Sequence, residues 1–217
     1  MILTVEEAFE LLEKGAKDNP GRWVEHSQKV GEAAARIAKK MGLDSEKARA
    51  MGLIHDIGKS FGIHVHHVIR GYEYLKSLGY DEEYANICLS HSYLNHDILC
   101  TAGGIPDPES EGYEFRKKFI INHEYTEYDK IINLCDLLCT DKFVTLEKRL
   151  VDIMIRRGVG NNTVYHIMEA KKLKYEIDEK LGCNVYALFP EIGEELVKLK
   201  HHHIENTKTY LPKNKNK

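Results

Sequence analysis

The run Gly52-Leu53-Ile54-His55-Asp56-Ile57-Gly58-Lys59 ends an apolar helical stretch on two adjacent side chains that bind divalent cations. Adjacent helical residues point about 100° apart, so an amphipathic helix has no packing reason to bury both. A cation lying between them supplies a reason. His26 sits on the apolar stripe of its own helix, in line with Val30 and Ala34. Taken alone it reads equally as a hydrogen-bonded core histidine. Asp136 lies in Ile131-Ile132-Asn133-Leu134-Cys135-Asp136-Leu137-Leu138-Cys139, with apolar neighbours on most faces of any helix. A buried carboxylate needs compensation or takes up a proton, so Asp136 calls for an arginine or a metal. Two imidazoles and two carboxylates suit Mn, Fe, Co, Ni or Zn better than Ca, which prefers all-oxygen shells. Such a set leaves coordination positions open for water and substrate, as a catalytic metal requires.

Helices must position these residues, and nearly the whole chain reads as helix. Thr4 with Glu7 is a capping box ahead of Ala8, Phe9, Leu11 and Leu12, and Asn19-Pro20-Gly21 breaks that helix. The next runs from about Trp23 to Met41 and stops at Gly42. Asp44 or Ser45 caps a third through Ile54. His67–Leu78 and a helix capped by Asp81 follow, the latter closing at His91. Residues 99–127 are poorly periodic and too long for an ordinary connection, which predicts a functional or partly structured segment that sets substrate choice. Tyr128–Cys139, Leu146–Arg157, Thr163–Leu181 and Glu191–Glu205 complete the helical set, and a lysine-rich tail from Lys208 to Lys217 is expected to fray. No alternating strand pattern appears. The expectation is an all-α bundle, with residues 1–160 as the main domain and 161–217 as a helical extension packed on it.

Bulk properties narrow the class. The chain has 217 residues, 42% hydrophobic and 30% charged, an ordinary globular balance with room for a real core. A formal net charge of -3 gives no overall basic field, so nothing points to nucleic acid. No membrane-spanning run or signal peptide is apparent, and a cytoplasmic location is expected. Five cysteines without a CxxC pair argue against a zinc knuckle, and four of them are expected to pack as small hydrophobes.

The order His26 … His55-Asp56 … Asp136, with His-Asp-Ile-Gly-Lys at 55–59, resembles the HD-domain metal-dependent phosphohydrolases over roughly residues 20–150. The resemblance implies a compact all-α bundle with one or two divalent transition metal ions (Fe, Mn, Co, Ni or Zn) held by His26, His55, Asp56 and Asp136. His67, ahead of Gly71, and His91 extend the match and imply a second metal position; His66 competes with His67 for that register. Hydrolases of symmetrical dinucleoside tetraphosphates and of cyclic dinucleotides belong to subgroups of this kind. The His-Thr-Thr-Gly, His-His-Glu and Gly-Tyr-Pro signatures of those subgroups are absent, and the double-glycine segment after His91 is more similar to an uncharacterised prokaryotic branch.

The reading that follows is a hydrolase that cleaves a phosphate ester or anhydride of a small nucleotide-like substrate. Asp56 bridges metals or orients the nucleophile. Lys59, otherwise a solvated lysine at a helix end, neutralises a substrate phosphate, His91 contacts substrate, and His91 or His67 serves instead as a general acid if only one metal is bound. A di-iron oxygenase is the first alternative, because four His and two Asp fit that chemistry too. A non-catalytic nucleotide sensor is the second, against which the intact ligand set argues. His64, His96 and His123 are candidates for the pocket mouth, although each also reads as an ordinary polar residue. Arg116, Lys117 and Lys118 either hold phosphate or are exposed. Arg149, Arg156 and Arg157 are expected to make surface ion pairs, and His201-His202-His203 to lie on a solvated helix face.

Overall fold

The computed structural model describes residues 1–62, 66–102 and 106–197. Ten α-helices and two short 3₁₀ turns make up its regular structure, and the described residues contain no strand, only an isolated bridge between Cys139 and Phe143. The all-α expectation holds. The site-bearing elements are α1 (Val5–Asp18), α2 (Trp23–Lys40), α3 (Ser45–Ile54), a 3₁₀ turn (Ile57–Phe61), α4 (His67–Ser77) and α5 (Glu82–Ser90). They are followed by α6 (Tyr113–Asn122), α7 (Glu127–Leu138), α8 (Leu146–Arg157), α9 (Thr163–Leu181), a second 3₁₀ turn (Val185–Leu188) and α10 (Pro190–Val197).

Local chemistry accounts for several helix starts. Thr4 and Glu7 form the expected reciprocal cap of α1. Asp44 accepts from the Glu46 and Lys47 amides at the start of α3, and Thr126 with Asp129 forms a second capping box at α7. Gly42 has φ +74° directly after α2 has ended, the left-handed stop that its position suggested. One helix was not legible in the pattern. α6 lies within the stretch read as irregular. It buries Tyr113, Arg116 and Ile120 on one stripe, but Phe115 and Ile121 are exposed on others, so its apolar residues show no single face. Its start carries no side-chain cap either; Gly112 at φ +71° precedes it. The final helix is described from Pro190 to Val197; its expected extension to Glu205, the three histidines at 201–203 and the lysine-rich tail lie outside the described residues, as does His64.

One apolar cluster runs from Leu3 through α2, α3, α5 and α7 to Ile177, Phe189 and Ile192, so α9 and α10 share the core of the N-terminal helices. Cys88, Cys100, Cys135 and Cys139 are buried in that cluster as free thiols, and Cys183 is half-buried.

The α2–α3 crossing sets the geometry of everything below. A Cβ placed on Gly52 would sit 2.6 Å from the Cα and N of Gly31, so the two helices meet backbone to backbone. Backbone atoms cannot rotate aside as a side chain can. Replacing Gly52 by alanine gains about 1 kcal/mol of helix propensity, yet overpacking of this kind costs about 1–3 kcal/mol or more. Gly52→Ala is therefore expected to lower stability in urea unfolding. Gly193→Ala, at an exposed α10 position with nothing within 4 Å of the added methyl, is expected to be neutral or mildly stabilising. Equal stability of the two variants would contradict the close crossing.

Candidate metal centre

The close crossing brings His26 on α2 beside His55, the residue that ends α3; their ring centroids are 5.2 Å apart. His55 is buried, and its Nδ1 lies 2.7 Å from the Gly52 carbonyl three residues back. As the Nδ1–H tautomer it donates to that carbonyl, which leaves the Nε2 lone pair pointing inward. His91, the residue that closes α5, repeats the device: its Nδ1 lies 3.1 Å from the Ile87 carbonyl, and its ring centroid is 4.9 Å from that of His55. A second glycine contact positions α4. A Cβ on Gly58 would lie 1.8 Å from the His67 carbonyl oxygen and 2.6 Å from the Gly71 amide nitrogen. The glycine of the His-Asp-Ile-Gly run thus lets α4 approach, and this delivers the His67 ring.

Asp56 occupies the centre. Its Oδ1 lies 3.2 Å from His67 Nε2 and 3.5 Å from His91 Nε2. Its Oδ2 lies 3.5 Å from His55 Nε2 and 3.9 Å from His26 Nε2, and the Lys59 ammonium sits directly on it. Two triads result, His26–His55–Asp56 and Asp56–His67–His91, each able to converge on one ion with Asp56 common to both. Asp136 faces His26, with 2.9 Å between Oδ1 and Nε2, and Arg149 Nη2 lies 3.6 Å from the same oxygen. Asp136 is half-buried and lines the cleft, although its α7 neighbours Cys135 and Leu137 are in the core. The sequence left an arginine or a metal as its partner; Arg149 lies near and the histidine cluster lies nearer.

Electrostatics keep the cluster in its metal-competent form. Burial pushes the His55 imidazole down to about 3 against the pull of Asp56, with His91 and His26 lowering it further. Burial also lowers His67 despite Asp56. Burial works against ionisation of Asp56, but Lys59 and His55 outweigh it and hold the carboxyl well below the usual range. At Asp136 burial is likewise overcome, by the His26 contact and the Arg149 charge. Neutral imidazoles around ionised carboxylates are the state that coordinates a metal. Two buried atoms at the centre, His55 Nε2 and Asp56 Oδ1, make no hydrogen bond within the protein. Orphaned acceptors of this kind are costly unless something electropositive fills the gap between them, and a divalent cation fits that gap and this donor set.

The cluster opens into a cleft of about 940 Å³. Its walls carry residues that sequence pattern did not single out. Asn133 and His166 are buried in the lining, and burial pushes His166 down to about 4. Arg149, Arg156 and Arg157 line it as well, which corrects their expected role in surface ion pairs. The α8 face bearing Arg149, Asp152, Ile153 and Arg156 borders the cleft, where Arg156 and Arg157 stay exposed and make no ion pair among the described residues. Burial and the neighbouring charges of Arg149 and Arg157 lower the Arg156 guanidinium, the sign of cations crowded without sufficient anions. His96 and His123 do not line the cleft. His96 is exposed and packs on Tyr125, whereas His123 Nε2 meets Asp129 at 3.0 Å.

A family model for the HD domain matches residues 23–141, more than half of the chain. The chain belongs to the HD-domain family. Ribonuclease Y of Fervidobacterium nodosum is 38% identical to this HD protein over 68 residues, 30% of the chain and 13% of that relative. An uncharacterised protein of Methanocaldococcus jannaschii is 36% identical over 91 residues, 40% of the chain and 52% of the relative. The HD protein thus spans only about an eighth of the ribonuclease Y it matches and about half of the archaeal relative. The HD domain of the L. monocytogenes phosphodiesterase PgpH, solved in complex with cyclic-di-AMP, covers 89% of the chain at 17% identity with a TM-score of 0.49, a similarity that transfers nothing about ligand.

Asp129 is the supporting residue that the pattern did not reveal, because beside its local cap with Thr126 its role depends on Ser90, 39 residues away. Its buried carboxylate accepts from Ser90 Oγ at 2.6 Å, from the Thr126 amide at 2.9 Å and hydroxyl at 2.6 Å, and meets His123. It ties the end of α5, next to His91, to the start of α7, which carries Asp136. Burial opposes its ionisation, but the bonds from His123, Ser90 and Thr126 hold its carboxyl below the usual value. A carboxyl depressed on folding contributes stability that is present above its unfolded value near about 3.9 and is lost as pH falls through the folded value. Asp129→Asn is expected to cost about 1–3 kcal/mol at neutral pH. The gap to wild type should shrink in urea unfolding series taken below about pH 4. A pH-independent gap would contradict an ionised brace.

Proposed function

We propose that this HD domain is a metal-dependent phosphohydrolase acting on a phosphate ester or anhydride of a small nucleotide-like substrate. The observation that carries the reading is Asp56, an ionised and buried carboxylate shared by two histidine triads, with orphaned acceptor atoms at its centre. His26, His55, Asp56 and Asp136 would hold one divalent ion, and His67 and His91 with Asp56 a second. A divalent ion bound there supplies Lewis acidity and a water acidic enough to be hydroxide near neutral pH.

The chain's own groups supply the remainder. The backbone carbonyls of Gly52 and Ile87 hold the His55 and His91 rings in one tautomer and orientation, so that neither has to reorganise when substrate arrives. Lys59 rests on Asp56 Oδ2 and lines the cleft, where its ammonium would serve as a point charge for a phosphate oxygen. The arginines along α8 give that wall a local positive character which the overall charge of -3 conceals. An anionic substrate matches such a wall, and this favours phosphoryl transfer over oxygen chemistry on the same ligand set.

The test is a metal-resolved screen. Chelator-stripped protein, reloaded separately with Mn, Co, Ni, Fe or Zn, is assayed against mononucleotides, dinucleoside polyphosphates and an aryl phosphate. Turnover is expected only in reloaded samples. Asp56→Ala is expected to fall to below about one hundredth of wild type while its circular dichroism stays helical, because a shared ligand matters at least as much as an outer-shell partner. Full activity of Asp56→Ala with metal still bound would place the chemistry elsewhere.

A further inference from the structure

Arg116 lies in the first half of α6, in the stretch that sequence periodicity left unread. The side chain is 4% exposed and lines the same cleft as the His/Asp cluster. Its partners are neutral and few. Nη1 donates to the Tyr93 hydroxyl across a long 3.4 Å, Nη2 donates to Ser110 Oγ at 3.0 Å, and Nε has no partner. Among the described residues it forms no ion pair; Asp107, a cleft neighbour, accepts from the Glu109 amide instead. Removing a guanidinium from water without a counter-charge is expensive, and buried arginines are normally matched by a carboxylate or phosphate.

The surroundings hold the group in place. Tyr93, two residues beyond His91, is itself buried, and its backbone carbonyl accepts from the Tyr125 hydroxyl at 3.0 Å. Gly112, just before α6, has φ +71°, and a Cβ there would meet Ile69 Cδ1 at 2.2 Å, so the start of α6 is seated tightly against α4. Arg116 is thus a fixed, unmatched positive fork whose hydrogen bonds, among the described residues, go to Tyr93 and Ser110 and not to the His/Asp cluster.

We infer that Arg116 is an anchor for a second phosphate group of the substrate, separate from the phosphate presented to the cluster. The inference rests on the phosphohydrolase reading for the role of the cluster. The planar fork accepts two phosphate oxygens side by side, which a lysine cannot reproduce. It narrows the substrate class to molecules that carry at least two phosphates, because a ligand spanning both points needs an anionic group at each.

The experiment compares wild type, Arg116→Met and Arg116→Lys as full-length proteins. Inorganic phosphate and inorganic tripolyphosphate are the probes, titrated by calorimetry with and without chelator. Wild type is expected to prefer tripolyphosphate, and both variants to lose that preference by about tenfold or more, the scale of a charge-assisted bidentate pair. Arg116→Met is also expected to melt at a higher temperature than wild type, since an apolar chain of similar length replaces an uncompensated charge. A purely structural arginine would give the opposite shift. An unchanged preference in either variant overturns the anchor, as does an Arg116→Met protein that melts lower or does not fold. Loss of preference in chelated protein that hydrolyses nothing when reloaded would retain the anchor and remove the hydrolase reading. Metal-dependent turnover with an unchanged preference would do the reverse.

Discussion

The buried charge of Asp56 is the constraint on which the rest of the site depends. With 2% exposure the carboxylate has lost its water, and yet the surrounding groups keep it ionised. An isolated buried carboxylate would neutralise instead. The chain compensates with Lys59 on one oxygen and four imidazoles around the pair, and to bring them there it needs four helices meeting at one point. Both backbone contacts that permit this meeting are made by glycines. Gly52 against Gly31 joins α2 to α3, and Gly58 against His67 and Gly71 joins the 3₁₀ turn to α4. The convergence of candidate metal ligands at the centre and the tightness of the core are therefore one problem in packing.

Around that centre the protein spends stability on preparation. Orphaned acceptors at His55 and Asp56, crowded guanidinium groups on α8 and an unmatched Arg116 all cost free energy unless a ligand meets them. Asp129 works in the other direction. It satisfies both carboxylate oxygens and secures the α5–α7 junction from which His91 and Asp136 extend. Satisfied polar groups brace the outside of the cluster while unsatisfied ones face inward, the distribution expected where strain is kept for a ligand.

Residue type and local order made much of this legible. The capping box at Thr4, the glycine stop after α2 and the apolar stripes of α2, α3 and α7 follow from short-range chemistry; the box at Thr126 is equally local but was not read from the sequence. The candidate ligands stood out as a set: a His-Asp pair could be a helix end and a buried aspartate could pair with an arginine, but a cation accounts for both together. His26, His55, His67 and His91 do lie around Asp56, with His67 rather than His66 on its carboxylate, and Asp136 lies against His26. The helix α6 was hidden because its apolar residues are spread over several faces. The arginines of α8 looked like surface charges because nothing local says which side of an exposed, charged helix turns toward a cleft.

What the sequence by itself determined is the kind of chemistry and the all-α framework, since ligand identity and helix periodicity are local properties. What only the tertiary structure decided is how these properties combine. Asp56, already expected as a bridging ligand, has imidazoles on both carboxylate oxygens because helices distant in sequence close on it. Arg116 and Asp129 acquired their roles from partners on other elements, Tyr93 and Ser110 for one, Ser90 and His123 for the other. Burial and the choice of partner are set by packing across the whole core, and no window of neighbouring residues contains them.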